Sequence, residues 1–439
     1  MGAIRIGAEE YAARRARLLE AMGPGSIALI AAAPERPRNH DVVYPYRQDS
    51  DFRYLTGFPE PEAVAVLLPG AEKPYTLFCR ARDPLMETWH GRRAGPAGAC
   101  ERYGADQAFT LDEIDQRLPD LLAHCERVFF RFGCDAAFDQ RVTGWVNALR
   151  ARLRSGVHVP REFVNLDTLL HEQRRVKSAA ELAVMAEAGR ISAAAHCRAM
   201  RVCRPGMYEY ELEAEILHEF GRHGAGWSYP SIVGGGDNAC ILHYTENDAV
   251  LRDGDLVLID AGCELDHYAG DITRTFPVNG RFSGPQRDLY ELVLAAQQAA
   301  FAEIRPGQAW PAYHDAAVRT LTAGLVDLGL LAGSVDERLA DESYRRFYMH
   351  RTGHWLGMDV HDPSEYRSGE DWCRLAPGMV LTVEPGLYVA PDDSSVDERF
   401  RGIGIRIEDD VVVTATGFDV LTGDVPKAVD DVEALMRAV

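Results

Sequence analysis

The chain has no run of about 18 apolar residues, so no helix is expected to cross a membrane. Its first stretch, MGAIRIGAEEYAARRARLLEAM, lacks the apolar core of a secretory leader and reads instead as an amphipathic helix after a short lead-in. No CxxC pair occurs among the nine cysteines. Their odd number and wide spacing predict reduced thiols and a cytoplasmic location. Positive charge is in deficit: 47 Lys and Arg against 67 Asp and Glu leave a net charge of −20. That balance weighs against a polyanion-binding surface and so against nucleic acid. The glycine-rich stretches Val233–Gly236 and Gly402–Gly404 do not complete a strand, GxGxxG and helix unit. They read as tight turns at the rim of a site.

What is present suits a globular protein of two domains. The chain has 439 residues, too many for one ordinary core. Short apolar runs alternate with helical stretches up to about residue 170. Ser26–Ala33, Ala63–Leu68, Tyr75–Cys79 and Val128–Phe132 read as strands, and Leu111–Leu122 as a helix. At Ser178-Ala-Ala-Glu181 a capping box predicts a helix running to about Met200. The expected division is an N-terminal α/β domain, 1–174, and a second domain, 175–439.

The second domain repeats itself. Arg204-Pro-Gly206 precedes a helical pattern with Leu212, Ile216 and Phe220. Arg305-Pro-Gly307 precedes another with Val318, Leu321, Leu325 and Leu328. RDGDLVLIDAG (252–262) matches APGMVLTVEPG (376–386) position by position, placing Asp260 against Glu384. Each half then carries a second acid in strand-like sequence: Asp271 in GDITRTF and Glu408 in IRIEDDVVV. Asp260 and Glu384 are therefore expected on equivalent strands of one sheet.

Four buried carboxylates cannot all be ionised close together without cations. Two divalent metals would neutralise them, roughly 3.5–4 Å apart, with one hydroxide able to bridge the pair. His350, His354 and His361 in YMHRTGHWLGMDVHD offer a fifth ligand, the others being free to handle protons or charge. His243 in CILHYTEN is a further polar candidate. A mostly oxygen donor set with one imidazole favours Mn²⁺, with Co²⁺ or Fe²⁺ as alternatives, over a zinc site. Such ions activate water and polarise a carbonyl, which points to hydrolysis of an amide or related bond.

IDAG with Asp260, YAGDITRTF with Asp271, GHWLGMDVHD with His354, TVEPGLYV with Glu384 and GIRIEDD with Glu408 together resemble the pita-bread metallopeptidases. YPYRQDSDFRYLTGFPEPEAV, WHGRRAG and SIVGGGDNACILHYTEN extend the likeness to bacterial aminopeptidase P, which removes an N-terminal residue when proline is second. The resemblance implies an α/β (α+β) chain: an N-terminal α/β domain for oligomerisation and substrate restriction, then a pseudo-two-fold pita-bread catalytic domain. It implies that Asp260 chelates one metal, Asp271 and Glu408 bridge both, and His354 and Glu384 bind the second. Glu384 would also act as general base and acid. By the same likeness His361 and His243 would stabilise the tetrahedral intermediate and line the proline site. His350 and Arg406 would support the pocket. Trp89 and Asp41 would take part in closing it in a homotetramer. The partners implied are peptides with proline at position 2. Prolidase, which cleaves Xaa-Pro dipeptides, and a non-catalytic binding protein of the same fold are the competing expectations.

Overall fold

The computed structural model describes residues 4–438, so the outermost residues of both expected domains lie outside it. The chain falls into two compact units that meet in sequence at Gln173 and Arg174.

The first unit is built on a six-stranded sheet. In spatial order its strands are Gln107–Thr110, Tyr75–Cys79, Val64–Leu67, Ser26–Ala31, Arg127–Phe130 and Glu162–Asn165. Ser26–Ala31 pairs antiparallel with Val64–Leu67 and parallel with Arg127–Phe130. A parallel pair needs a long crossover, which leaves helices to cover the sheet. One such helix, Ala136–Arg150, buries Val142, Trp145, Val146 and Leu149. That spacing gives it one apolar face, which packs in a core with Ile27, Leu29, Val66, Phe78 and Val128 of the strands. Tyr75–Cys79 is a strand over the residues read from sequence, the runs Ser26–Ala33 and Ala63–Leu68 shorten to Ser26–Ala31 and Val64–Leu67, and Val128–Phe132 becomes Arg127–Phe130. The helix expected from Leu111 opens as a 3₁₀ turn, Leu111–Glu113, before Ile114–Leu122.

The second unit begins where the capping box placed it. Ser178 N–H donates to Glu181 Oε2 at 2.9 Å and Glu181 N–H to Ser178 Oγ at 3.3 Å, opening the helix Ala179–Val202. It packs with Glu209–Arg222 and leads to the antiparallel sheet Ile232–Gly235, Leu256–Asp260, Thr273–Pro277. A second helix pair, Gly284–Ala302 and Ala312–Asp327, leads to the sheet Val380–Val383, Asp409–Val413, Phe418–Val420. Helix pair followed by antiparallel sheet thus occurs twice, in the order of the sequence repeat.

Two expectations are corrected. Asp260 and Glu384 do not share one hydrogen-bonded sheet: the described strands form two separate ladders. They meet instead where Glu408 N–H donates to Thr273 O at 3.1 Å. Nor is Val233–Gly236 a rim turn. Val233, Gly234 and Gly235 lie in a strand paired with Ile259, Leu258 and Val257. Glycine is needed there for close approach: a Cβ on Gly234 would sit 2.9 Å from the backbone carbonyl carbon of Asn238.

Candidate active site

Asp260 is the last residue of Leu256–Asp260, and Glu384 follows directly on Val380–Val383. Glu408 directly precedes Asp409–Val413. Asp271, in the strand-like stretch GDITRTF, stands two residues before the strand Thr273–Pro277. Its N–H is withdrawn from the ladder and donates to Asp410 Oδ2 at 2.9 Å. The four acids therefore sit at strand ends, where side chains converge from both sheets. Gly353 lets His354 join them: a Cβ at Gly353 would lie 2.0 Å from Thr382 O, so only glycine allows the segment to press against that strand.

Asp271, His354 and Glu408 offer ligand atoms all within 4.8 Å of one another. His354 Nε2 lies 3.4 Å from Asp271 Oδ2 and 3.7 Å from Glu384 Oε1. Asp260 is tied to the group by Tyr229, whose hydroxyl is 2.6 Å from Asp260 Oδ1 and 2.5 Å from Asp271 Oδ1. Arg406 Nη2 donates to Asp260 Oδ2 at 2.7 Å, and Thr273 Oγ1 donates to Glu408 Oε2 at 2.7 Å.

This cluster is electrostatically unfinished without cations. Burial, then the neighbouring acids, push Glu408 well above the usual carboxylate range. Burial raises Asp260 as well, against the pull of Arg406. Glu384 is pushed up to about 7 by burial, although His354 and Arg406 oppose the shift. Burial disfavours charge on His354, yet the Asp271 and Glu384 carboxylates outweigh it and lift the imidazole to about 9. Groups that compete for protons in this way are poised to take metal instead. The histidine is also oriented for it. His354 Nδ1 is 3.0 Å from Trp355 O, a carbonyl that only accepts, so Nδ1 keeps its proton and Nε2, turned to the acids, is the nitrogen that can exchange its proton for a metal. Four carboxylates and one imidazole fit two divalent, oxygen-preferring ions.

The cluster opens into a cavity of about 1090 Å³ lined by residues of the second unit. His243, His350, His361 and Arg406 all line it, as the sequence suggested. His361 stacks edge-on to His354 with ring centres 4.3 Å apart, and burial lowers its pKa. His350 is pushed down to about 3 by burial. Its Nδ1 donates to Arg351 O at 2.7 Å and its Nε2 lies 2.9 Å from the Tyr388 hydroxyl. That hydroxyl accepts from Arg406 Nη1 at 2.9 Å, so it donates to His350. Trp89 and Asp41 lie in the first unit and are exposed, Trp89 near the end of Pro84–His90 and Asp41 in the turn between Pro37–Asn39 and Val42–Val43.

Sequence reasoning missed Tyr229 and Tyr388. Each acts through partners far along the chain, and neither lies in a periodic pattern that marks it.

The profile of metallopeptidase family M24 matches residues 183–415. The chain belongs to this family. Residues 11–129 match the aminopeptidase P N-terminal domain, so the resemblance read from the sequence is borne out for both halves. The chain is 51% identical to the Xaa-Pro aminopeptidase of Escherichia coli strain K12, over 99% of this chain and 98% of that one. Among solved structures it is similar to Pseudomonas aeruginosa aminopeptidase PepP, at 58% identity and a TM-score of 0.98, covering 99% of each chain. It is also similar to a glutamate-to-alanine variant of E. coli aminopeptidase P solved in complex with substrate, at 50% identity and a TM-score of 0.96, again covering 99% of each.

Proposed function

We propose that this member of family M24 is a metal-dependent Xaa-Pro aminopeptidase, releasing the first residue of peptides whose second residue is proline. The observation that carries the reading is the convergence of Asp271, His354 and Glu408 ligand atoms within 4.8 Å, beside Asp260 and Glu384, in a cavity open to a peptide. Asp260, Asp271, His354, Glu384 and Glu408 are the residues that would hold two divalent ions, Mn²⁺ by preference. Bound there, such ions supply Lewis acidity, lowering the pKa of water toward about 7 and polarising the scissile carbonyl.

The chain's own residues supply the rest. Tyr229 and Arg406 fix the Asp260 carboxylate from two sides, so the acid keeps its orientation through turnover. Glu384, at the end of its strand and facing the cavity, takes a proton from the attacking water and delivers it to the proline nitrogen as the C–N bond breaks. His361 and His243 face the same cavity as hydrogen-bond donors to the oxygen that becomes an oxyanion. His350 has both ring nitrogens engaged and positions Tyr388 and Arg406. The first unit, taken as domain 1–174, serves oligomerisation and substrate restriction, with Trp89 and Asp41 on that side of a homotetramer. A cytoplasmic location agrees with nine free cysteines.

The test is cleavage of an Xaa-Pro-Xaa tripeptide by metal-loaded protein, with elemental analysis alongside. Release of the first residue supports the reading. Turnover of Xaa-Pro dipeptides alone would make the chain a prolidase. No turnover with metal bound would leave a binding protein.

A further inference from the structure

The cavity wall beside Glu384 carries a cation that the chemistry above does not use. Arg351 lies between His350, whose Nδ1–H is held by the Arg351 carbonyl at 2.7 Å, and Thr352, whose carbonyl accepts the Glu384 N–H at 2.8 Å. Its backbone is therefore pinned to the active site while its exposed guanidinium lines the cavity. The other lining arginine, Arg406, is buried and already engaged with Asp260 and Tyr388. Among the described residues no carboxylate lies within ion-pair distance of Arg351.

His314, at the same wall, adds a directed donor. Its Nδ1 is 2.8 Å from Thr352 Oγ1, which is 2.7 Å from the buried Tyr348 hydroxyl. Tyr348 has no acceptor other than Thr352 among the described residues, so its proton points there. Thr352 then donates onward to His314 Nδ1. This direction leaves the His314 proton on Nε2, the nitrogen with no hydrogen-bond partner among the described residues. Burial, and then Arg351, push His314 down to about 4, which keeps it neutral. A guanidinium and a fixed N–H on one wall make two donors for a planar anion.

Resting on the aminopeptidase reading, we propose that Arg351 and His314 form a specificity subsite for a carboxylate of the peptide substrate. Of the two arginines that line the cavity, Arg406 is taken up by Asp260 and Tyr388, and Arg351, with no ion pair among the described residues, is left to meet an anionic group of a bound peptide. An acceptor group is therefore drawn to the Arg351 side. The carboxylate has two sources: the free C-terminus of a short peptide, or an acidic side chain.

The experiment measures kcat/KM on Leu-Pro-Leu, its C-terminal amide, and Glu-Pro-Leu-amide, with wild type, Arg351→Ala, Arg351→Lys and His314→Ala. We expect the wild type to prefer one carboxylate-bearing peptide over Leu-Pro-Leu-amide, mainly through KM. Arg351→Ala should shrink that preference about tenfold, the lower end for a charge-assisted hydrogen bond. Arg351→Lys should keep part of it, and His314→Ala should lose a smaller part. Salt should erode the Arg351 contribution. Preference for the free acid identifies the C-terminus, and preference for Glu-Pro-Leu-amide identifies the side chain. Equal ratios in wild type and Arg351→Ala overturn the subsite while leaving the aminopeptidase intact. If no Xaa-Pro bond is cleaved, the proposed function itself has failed.

Discussion

Both oxygens of Asp260 are spoken for, one by Tyr229 and one by Arg406, and this decides what an amide there would do. Asn at 260 keeps the shape, so the fold should hold. It removes a negative charge, turns one acceptor into a donor facing Arg406 or Tyr229, and ligates a hard cation poorly. We expect Asp260→Asn to lose at least about 100-fold in turnover with unchanged circular dichroism. Near-wild-type turnover in metal-saturated buffer would reject the assignment. The neighbouring histidines separate two roles at the same scale. His354 presents Nε2 to Asp271 and Glu384, whereas His361 packs edge-on against the His354 ring. His354→Ala should therefore weaken one metal, and His361→Ala should keep about two per chain while turnover falls ~10²–10³-fold. Elemental analysis beside kinetics reads the difference. Equal metal loss in both variants would make His361 a ligand.

At the level of elements, the segment carrying His354 is laced to the strand Val380–Val383. Thr382 N–H donates to His354 O at 3.0 Å, and His354 N–H donates to Thr382 Oγ1 at 3.1 Å. Gly353 stands inside this contact, and the atom a Cβ would strike is a backbone oxygen, which no rotamer change can move aside. Gly353→Ala should cost roughly 1–3 kcal/mol and shift His354 off the acids, lowering stability and activity together. A variant with wild-type melting temperature and turnover would show the contact to be softer than drawn. The same element level explains what sequence could reveal. The Ser178 capping box was legible because its two partners are three residues apart. The acids were legible because duplication set Asp260 against Glu384 in matching runs. The glycines at 234 and 235 misled, since glycine signals a turn through its backbone freedom, whereas here its missing Cβ is what the packing uses. Tyr229 was invisible because its partners, Asp260 and Asp271, are 31 and 42 residues away and only the sheet brings them together.

On the scale of the whole molecule, buried charges of two kinds set opposite pH dependences. Asp362 meets Arg174 at 2.6 Å and Lys177 at 3.1 Å, and Asp409 meets Arg274 at 2.7 Å and Lys427 at 2.6 Å. Burial alone would raise these acids, but the paired cations outweigh it and hold both below the ordinary carboxylate value of 3.8. Their stabilisation is full above that value and fades as pH falls through the folded pKa. The metal-ligand acids behave in reverse when no cation is bound. Glu384 titrates from an ordinary 4.5 to about 7 in the fold. The cation-free fold is then favoured at low pH and loses that contribution as pH rises from about 4.5 through about 7. His354, lifted to about 9, continues the loss through that value. A bound cation relieves the Glu384 penalty and takes the place of the His354 proton, which costs less as pH rises. We therefore expect Mn²⁺ added to chelated protein, at about 100 times its Kd, to raise the melting temperature by roughly 5–10 °C. The gain should be larger at pH 8 than at pH 6. Glu384→Gln should flatten the pH slope of the cation-free protein across this interval, because the amide has no proton to release. Differential scanning calorimetry at both pH values, with and without Mn²⁺, reads all four arms. A melting temperature indifferent to Mn²⁺, or a slope that Glu384→Gln leaves unchanged, would mean that the buried acids are satisfied by the protein alone.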